Sequence, residues 1–448
     1  MIDWQAVGEA AADLLGRYLQ IDTTNPPGNE RAAAEFLAQA LRERGFEPRL
    51  YPTVPGRANL VARLTCEQEP VAGPLLLLHH MDVVPADEAA WRHPPFSGVA
   101  REGYVYGRGA LDMKGFGVME LLALDLLRRS GEPLRRDVIL MAVSDEEMAG
   151  AYGAGWMVTH EWERIRPAVV WDEGGFGITG DFGPCPIFYV AVAEKQVLWP
   201  RVVARGEPGL ASIPSNQSAI DRLMAALERL RSQRYPPRLT EVSAAMFKRL
   251  AEVVDFPRSL ALRHVDHPLV WPLISPSLCD QPQIEAMVRN LVTVTRLRAG
   301  QKENVVPGEA EAGLDVRLLP GEDARTFVER LRRMVDDEHV TIELDEYEPP
   351  SLVSPHDGGF FATLEGVIRR HVPEALVVPM LTPGGTDSRF FRRRGVAAYG
   401  LIPVLVDQAE VSGMHGVDER ISVENLRLGT HIVYDVLRRA CALDGGAA

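Results

Sequence analysis

Leu75–Pro85 reads LLLLHHMDVVP. The leucine run after Gly73-Pro74 is short for a buried helix and suits a strand covered on both faces. His80 then falls at the carboxyl end of the predicted strand, the edge at which open α/β sheets gather ligands. Asp82 stands two residues on. Its carboxylate is placed to accept the second ring N–H of His80, which would fix the imidazole tautomer toward a metal. A lone His-x-Asp is more often a hydrogen-bonded core histidine, so the reading rests on what surrounds it.

Upstream, apolar residues at helical spacing predict helices over residues 3–20 and Arg31–Arg44, separated by a polar turn at Asp22–Glu30. Strands follow at Pro48–Tyr51 and Asn59–Leu64, and this order predicts an α/β domain with a mixed sheet. Downstream, the apolar strand Asp137–Val143 ends in Ser144-Asp145-Glu146-Glu147, and Ala168–Trp171 ends in Asp172-Glu173 before Gly174-Gly175. Successive acids at the end of a buried strand raise one another's pKa, and a bound cation is the economical compensation. Between these strands, YVYGRGALDMKGFG (residues 104–117) matches neither a dinucleotide fingerprint nor a P-loop, which disfavours a nucleotide site. Asp112 closes that loop before a predicted helix, a position where an acid alone reads as an N-cap.

Beyond Glu194-Lys195 the pattern changes. Strand (Val197–Ala204), helix (Ile220 to Leu230), strands (Leu291–Leu297, Ala310–Leu319), helix (Ala324–Val335) and strand (Val340–Leu344) follow the split βαβ order of a ferredoxin-like layer, with a helical insertion around Ala244–Val254. Residues 198–350 are therefore expected to form a domain inserted into a catalytic domain made of 1–197 and 351–448. The latter part carries a helix at Gly359–His371, strands at Ala375–Met380 and Val396–Pro403, the loop PGGTDSR (383–389), His415 between glycines, and a closing helix at Val423–Leu443.

A chain of 448 residues is too long for one ordinary core, in keeping with that division. Its net charge of −14 favours solubility and argues against a nucleic-acid groove. Cys66, Cys185, Cys279 and Cys441 form no Cys-x-x-Cys pair, so reduced thiols are expected rather than a zinc ribbon or a disulfide framework. The first residues carry acids where a signal peptide has bases, and no apolar run reaches the roughly 18 residues of a membrane span. A cytoplasmic protein with neither membrane nor nucleic-acid partner is the expectation.

Taken in order, His80-x-Asp82, GRGALDMKG (107–115), Asp145-Glu146-Glu147, Asp172-Glu173-Gly174 and His415-Gly416 resemble the dinuclear zinc exopeptidases, the family of aminoacylase, carboxypeptidase G, acetylornithine deacetylase and succinyl-diaminopimelate desuccinylase. Asn304-Val305-Val306-Pro307 and Asp315-x-Arg317 add to the likeness. The resemblance implies a mixed-sheet α/β catalytic domain with an inserted ferredoxin-like α+β lid and dimerisation domain, and a homodimer. It implies two zinc ions, one held by His80, Asp112 and Glu173 and the other by Asp112, Glu147 and His415, with Asp112 bridging and Asp82 behind His80. Cobalt and manganese also suit that donor set. Glu146 is implied as general acid/base for a zinc-bound hydroxide that cleaves an amide of a short peptide or N-acyl amino acid. Arg389 is implied to clamp the substrate's free carboxylate, with Gly385 and Thr386 beside it and Asn304 helping at the oxyanion.

One departure matters. Relatives usually carry Gly-His-x-Ser-x-Pro in the inserted domain, and this chain reads Gly209-Leu210-Ala211-Ser212-Ile213-Pro214. Leucine donates no hydrogen bond. Asn304 and zinc would then hold the oxyanion, His264 or His267 would substitute, or hydrolysis would be weak or lost and the protein would be a metal-binding relative. The intact Glu146 speaks for catalysis, and carboxypeptidase and aminoacylase activity share every one of these groups.

Overall fold

Alternate leucines of the opening strand face opposite ways. Leu75 and Leu77 pack with Leu140, Ala142 and Trp171, whereas Leu76 and Leu78 pack with Ile139, Met141, Val143 and Val170. All are fully buried, each such side chain contributing about 1.5–3 kcal/mol, which explains why the run shows no polar alternation. The computed structural model describes residues 2–180, 183–213, 217–344, 347, 349–350 and 352–443. It builds Leu75–His80 into an eight-stranded sheet. The spatial order is Arg49–Pro52, Ala58–Leu64, Val138–Val143, Leu75–His80, Val169–Gly180, Ala397–Val406, Gly183–Glu194 and Leu376–Thr382. Leu75–His80 runs parallel to both neighbours, while Ala58–Leu64 is antiparallel to Val138–Val143, so the sheet is mixed as expected.

Five helices (Trp4–Leu19, Glu30–Arg42, Lys114–Ser130, Gly359–His371 and Val423–Cys441) cover one face. Short helices at Ala154–His160, Trp162–Ile165 and Ser388–Arg392 cover part of the other. Two expectations need correction. The strand predicted to stop at Trp171 continues to Gly180 and pairs with Gly183–Glu194, a strand the sequence reading did not identify. Gly174-Gly175 reads as a break, yet a Cβ on Gly175 would lie 1.9 Å from the carbonyl oxygen of Tyr189, so the glycine serves close strand packing. Second, helices Glu241–Leu250, Arg258–Arg263 and Pro282–Val288 pack against Ile187, Tyr189, Leu376, Val378 and Met380 of the large sheet, although they fall within the range assigned to the insertion.

The remaining layer follows the expected order. Leu291–Ala299, Glu309–Leu318, Arg201–Arg205 and Val340–Glu343 lie side by side, with Gln196–Leu198 added beside Glu309–Leu318. Numbered along the chain these strands run 2-3-1-4, and helices Ala219–Ser232 and Ala324–Val335 bury one face of them. Glu309–Leu318 alternates partly exposed and buried positions throughout, the pattern of a sheet with one face towards solvent. No helix among the described residues is long and apolar enough to cross a membrane.

Candidate metal centre

Because Val138–Val143, Leu75–His80 and Val169–Gly180 are adjacent and parallel, Glu146-Glu147, His80 and Glu173 emerge at one edge of the sheet. Asp112 reaches that edge from the loop before helix Lys114–Ser130, and His415 from the segment after Ala397–Val406. His80 Nε2 lies 3.1 Å from Asp112 Oδ1 and 3.5 Å from Glu173 Oε1. His415 Nε2 lies 3.1 Å from Asp112 Oδ2 and 3.4 Å from Glu147 Oε1. Asp112 thus offers one oxygen to each imidazole. Ligand atoms of His80, Asp112 and Glu147, and those of His80, Glu146 and Glu173, also lie within 4.8 Å of one another.

The electrostatics call for positive charge. Burial pushes Glu173 well above the ordinary carboxylate range, and Asp112 pushes it further. Burial likewise raises Glu146. Hydrogen bonds to Asp112 and Glu147 raise His415 to about 10. For His80 burial opposes charging, yet the bond to Asp112 and the charge of Glu173 outweigh it and raise its pKa. A cluster of imidazoles and carboxylates that draws in protons is chemically suited to divalent cations, and the absence of thiolates from the set favours zinc, cobalt or manganese over softer metals.

Buried contacts hold these ligands in place. His80 Nδ1 donates to the main-chain carbonyl of Asp82 at 2.9 Å, while the Asp82 carboxylate lies 3.7 Å away. That corrects the expected side-chain partnership, and the reason is local: the carboxylate accepts the amides of Glu146 and Glu147, each at 3.1 Å, and the Asn25 amide at 2.8 Å. Asp82 therefore shapes the turn that presents the two glutamates. The same turn requires Asp145 at φ +73°, a left-handed conformation unusual outside glycine. Arg57, Asn25 and the Tyr152 amide hold its carboxylate there. Glu419, fully buried, accepts the amides of Gly109, Leu111 and Asp112 at 2.8–3.0 Å and pairs with Arg108 at 2.7 Å, tying the Asp112 loop to the His415 segment. Sequence reasoning missed Asn25, Arg57 and Glu419, since single polar residues in loops carry no periodic signal.

A cleft of about 610 Å³ opens over the centre, lined by Asp112, Glu146, Glu147, Glu173 and His415 together with Gly385, Thr386 and Arg389. Arg389 Nη1 is 4.0 Å from Glu146 Oε1 and donates to the Thr386 carbonyl at 2.7 Å. The amide and hydroxyl of Thr386 both go to Glu194, so its polar groups shape the loop. Phe176, Val197, Leu198, Trp199, Leu344 and Met414 give the cleft an apolar wall, and Lys195 and Arg317 also reach it. Glu194-Lys195 had signalled only a change of pattern. Asn304 does not line this cleft. It sits beside Leu210 at a two-stranded antiparallel ribbon, where Leu210 pairs with Val305 and is 61% exposed. Pro214 of the same motif is outside the described residues.

The chain as a whole is similar to known proteins. The chain is 31% identical over 381 residues to N-fatty-acyl-amino acid synthase/hydrolase PM20D1 of Mus musculus, covering 83% of this chain and 75% of the relative. To aminoacylase-1B of Rattus norvegicus it is 29% identical over 398 residues, covering 87% and 86%. The fold is similar to an M20 family metallo-carboxypeptidase, Sso-CP2 of Sulfolobus solfataricus, with a TM-score of 0.74 at 18% identity over 98% of this chain and 99% of that one. Residues 76–439, which run from the first strand that supplies a ligand nearly to the end of the last helix, match the pattern of peptidase family M20/M25/M40. The chain belongs to that family.

Proposed function

We propose that the protein hydrolyses the amide bond of an N-acyl amino acid or short peptide bearing a free carboxylate. The observation that carries this reading is Asp112, which presents one carboxylate oxygen to His80 and the other to His415, both at 3.1 Å. His80, Asp112 and Glu173 would hold one divalent cation and Asp112, Glu147 and His415 a second, most naturally zinc. Ions held there would supply Lewis acidity, which would acidify an attacking water towards roughly 7 and polarise an amide carbonyl. Glu146, lining the same cleft and held by its amide to Asp82, takes the proton of the attacking water and passes it to the leaving nitrogen, a role worth about 10²–10⁴ in rate. Arg389 receives the substrate carboxylate with its planar guanidinium. The apolar wall supports an apolar acyl group over a charged one.

Within residues 198–350, the ferredoxin-like layer is proposed as the inserted domain, supported by a core of its own that excludes the helices between Glu241 and Val288. A homodimer through that layer would let the exposed two-stranded ribbon beside Leu210 and Asn304 meet a second copy. If Leu210 faces a partner's cleft, Leu210→His should raise kcat on a simple N-acyl amino acid at least about tenfold, since one oxyanion donor is worth roughly 10²–10³. If it packs on an apolar substrate group, the same change raises KM instead. The reading is tested by assaying zinc-loaded protein on N-acyl amino acids of increasing acyl length and on dipeptides. Turnover of apolar acyl conjugates supports it, and no turnover of any member by protein carrying both metals points to a metal-binding relative without hydrolysis.

A further inference from the structure

Away from the cleft, His371, His431 and Asp435 bring their donor atoms within 4.8 Å of one another. Both imidazoles present Nε2 to the same carboxylate oxygen: His371 Nε2 is 2.9 Å and His431 Nε2 3.8 Å from Asp435 Oδ2. His431 and Asp435 stand one turn apart on helix Val423–Cys441, so they share a face, and His371 is the last residue of helix Gly359–His371. The indole of Trp4 stacks on His431 at 3.6 Å between ring centroids, and His371 meets His431 edge-on at 4.3 Å, which fixes the direction of the rings. The three side chains remain 13–26% exposed, enough for an ion and a completing water to enter. None lines the catalytic cleft.

We infer that these residues form a separate binding site for a divalent cation of the zinc type, completed by water, that ties helix Gly359–His371 to helix Val423–Cys441. Imidazole with carboxylate is a donor set that zinc accepts, and the convergence of two nitrogens and one oxygen already has the geometry of a three-ligand site. The neighbouring cations do not block it. Arg427 is engaged by Glu424 and Arg438 by Glu132, each at 2.9 Å. With no metal, the His371–Asp435 hydrogen bond satisfies the pair, so the fold does not need the ion in order to form. Binding to the folded chain alone would stabilise it.

The test compares full-length wild type with His371→Gln and His431→Gln, chosen as two independent variants that keep a polar side chain. Each is saturated with zinc, freed of unbound metal, and analysed for zinc per chain, with circular dichroism to verify folding. Wild type should retain one equivalent more than either variant, and zinc should raise its melting temperature by more. Hydrolytic activity should be equal in all three. Because only the difference is read, the result stands whether or not the catalytic cleft fills as proposed. Equal zinc content in wild type and in both folded variants would overturn the site.

Discussion

The carboxyl edge of the eight-stranded sheet and the ferredoxin-like layer treat charge in opposite ways. In the layer, partly buried charges are each answered by an opposite neighbour: Arg201 spans Glu311 and Glu343 at 3.4 and 2.9 Å, and Arg222 meets Asp337 at 2.8 Å. At the sheet edge, Glu146, Glu147, Asp112 and Glu173 crowd around two histidines, with burial holding Glu146 and Glu173 above their usual pKa. The layer is arranged for stability, since its buried side is uniformly apolar. The edge gives up stability to keep like charges together, the local conflict expected where a fold has been turned to chemistry.

That contrast is best broken by changes that strike one region only. Leu331 is fully buried in the layer, and Leu331→Ala should cost about 2–5 kcal/mol. Thermal unfolding followed by circular dichroism would show it, while kcat of the folded fraction stays unchanged. A separate early transition would support an independently folding insertion, and a single shifted one a cooperative unit. Arg389→Lys strikes the edge. Losing a bidentate clamp should raise KM for a carboxylate substrate by roughly 10–100-fold, equivalent to about 1.5–3 kcal/mol, with little change in melting temperature. Arg201→Gln should matter least, because ion pairs as open to solvent as those of Arg201 contribute about 1 kcal/mol or less. A loss above 2 kcal/mol by denaturant titration would show that the layer also depends on its charges.

The legible parts of the sequence were those with a period or a termination. The leucines at 75–78, the strand Val138–Val143 and the alternation in Glu309–Leu318 marked strands because burial imposes its own rhythm. Acids at strand ends marked the edge. Strand Gly183–Glu194 was hidden because Gly183, Pro184 and Pro186 open it like a loop, and Gly175 is explained only by the Tyr189 carbonyl pressing against it. Partnership across long separations was illegible. Glu419 lies more than 300 residues from the amides it accepts, and the Asp82 carboxylate turned out to serve the glutamate turn rather than its near neighbour His80.

Two adjacent carboxylates are proposed to have different duties, Glu146 as base and Glu147 as ligand. Turnover and metal content should therefore be measured side by side in Glu146→Gln and Glu147→Gln. Glu146→Gln is expected to lose roughly 10²–10⁴ in kcat while keeping both metals. Glu147→Gln is expected to lose activity together with metal. Glu146→Gln protein that stays within tenfold of wild type, or that loses metal as readily as Glu147→Gln, would contradict the account.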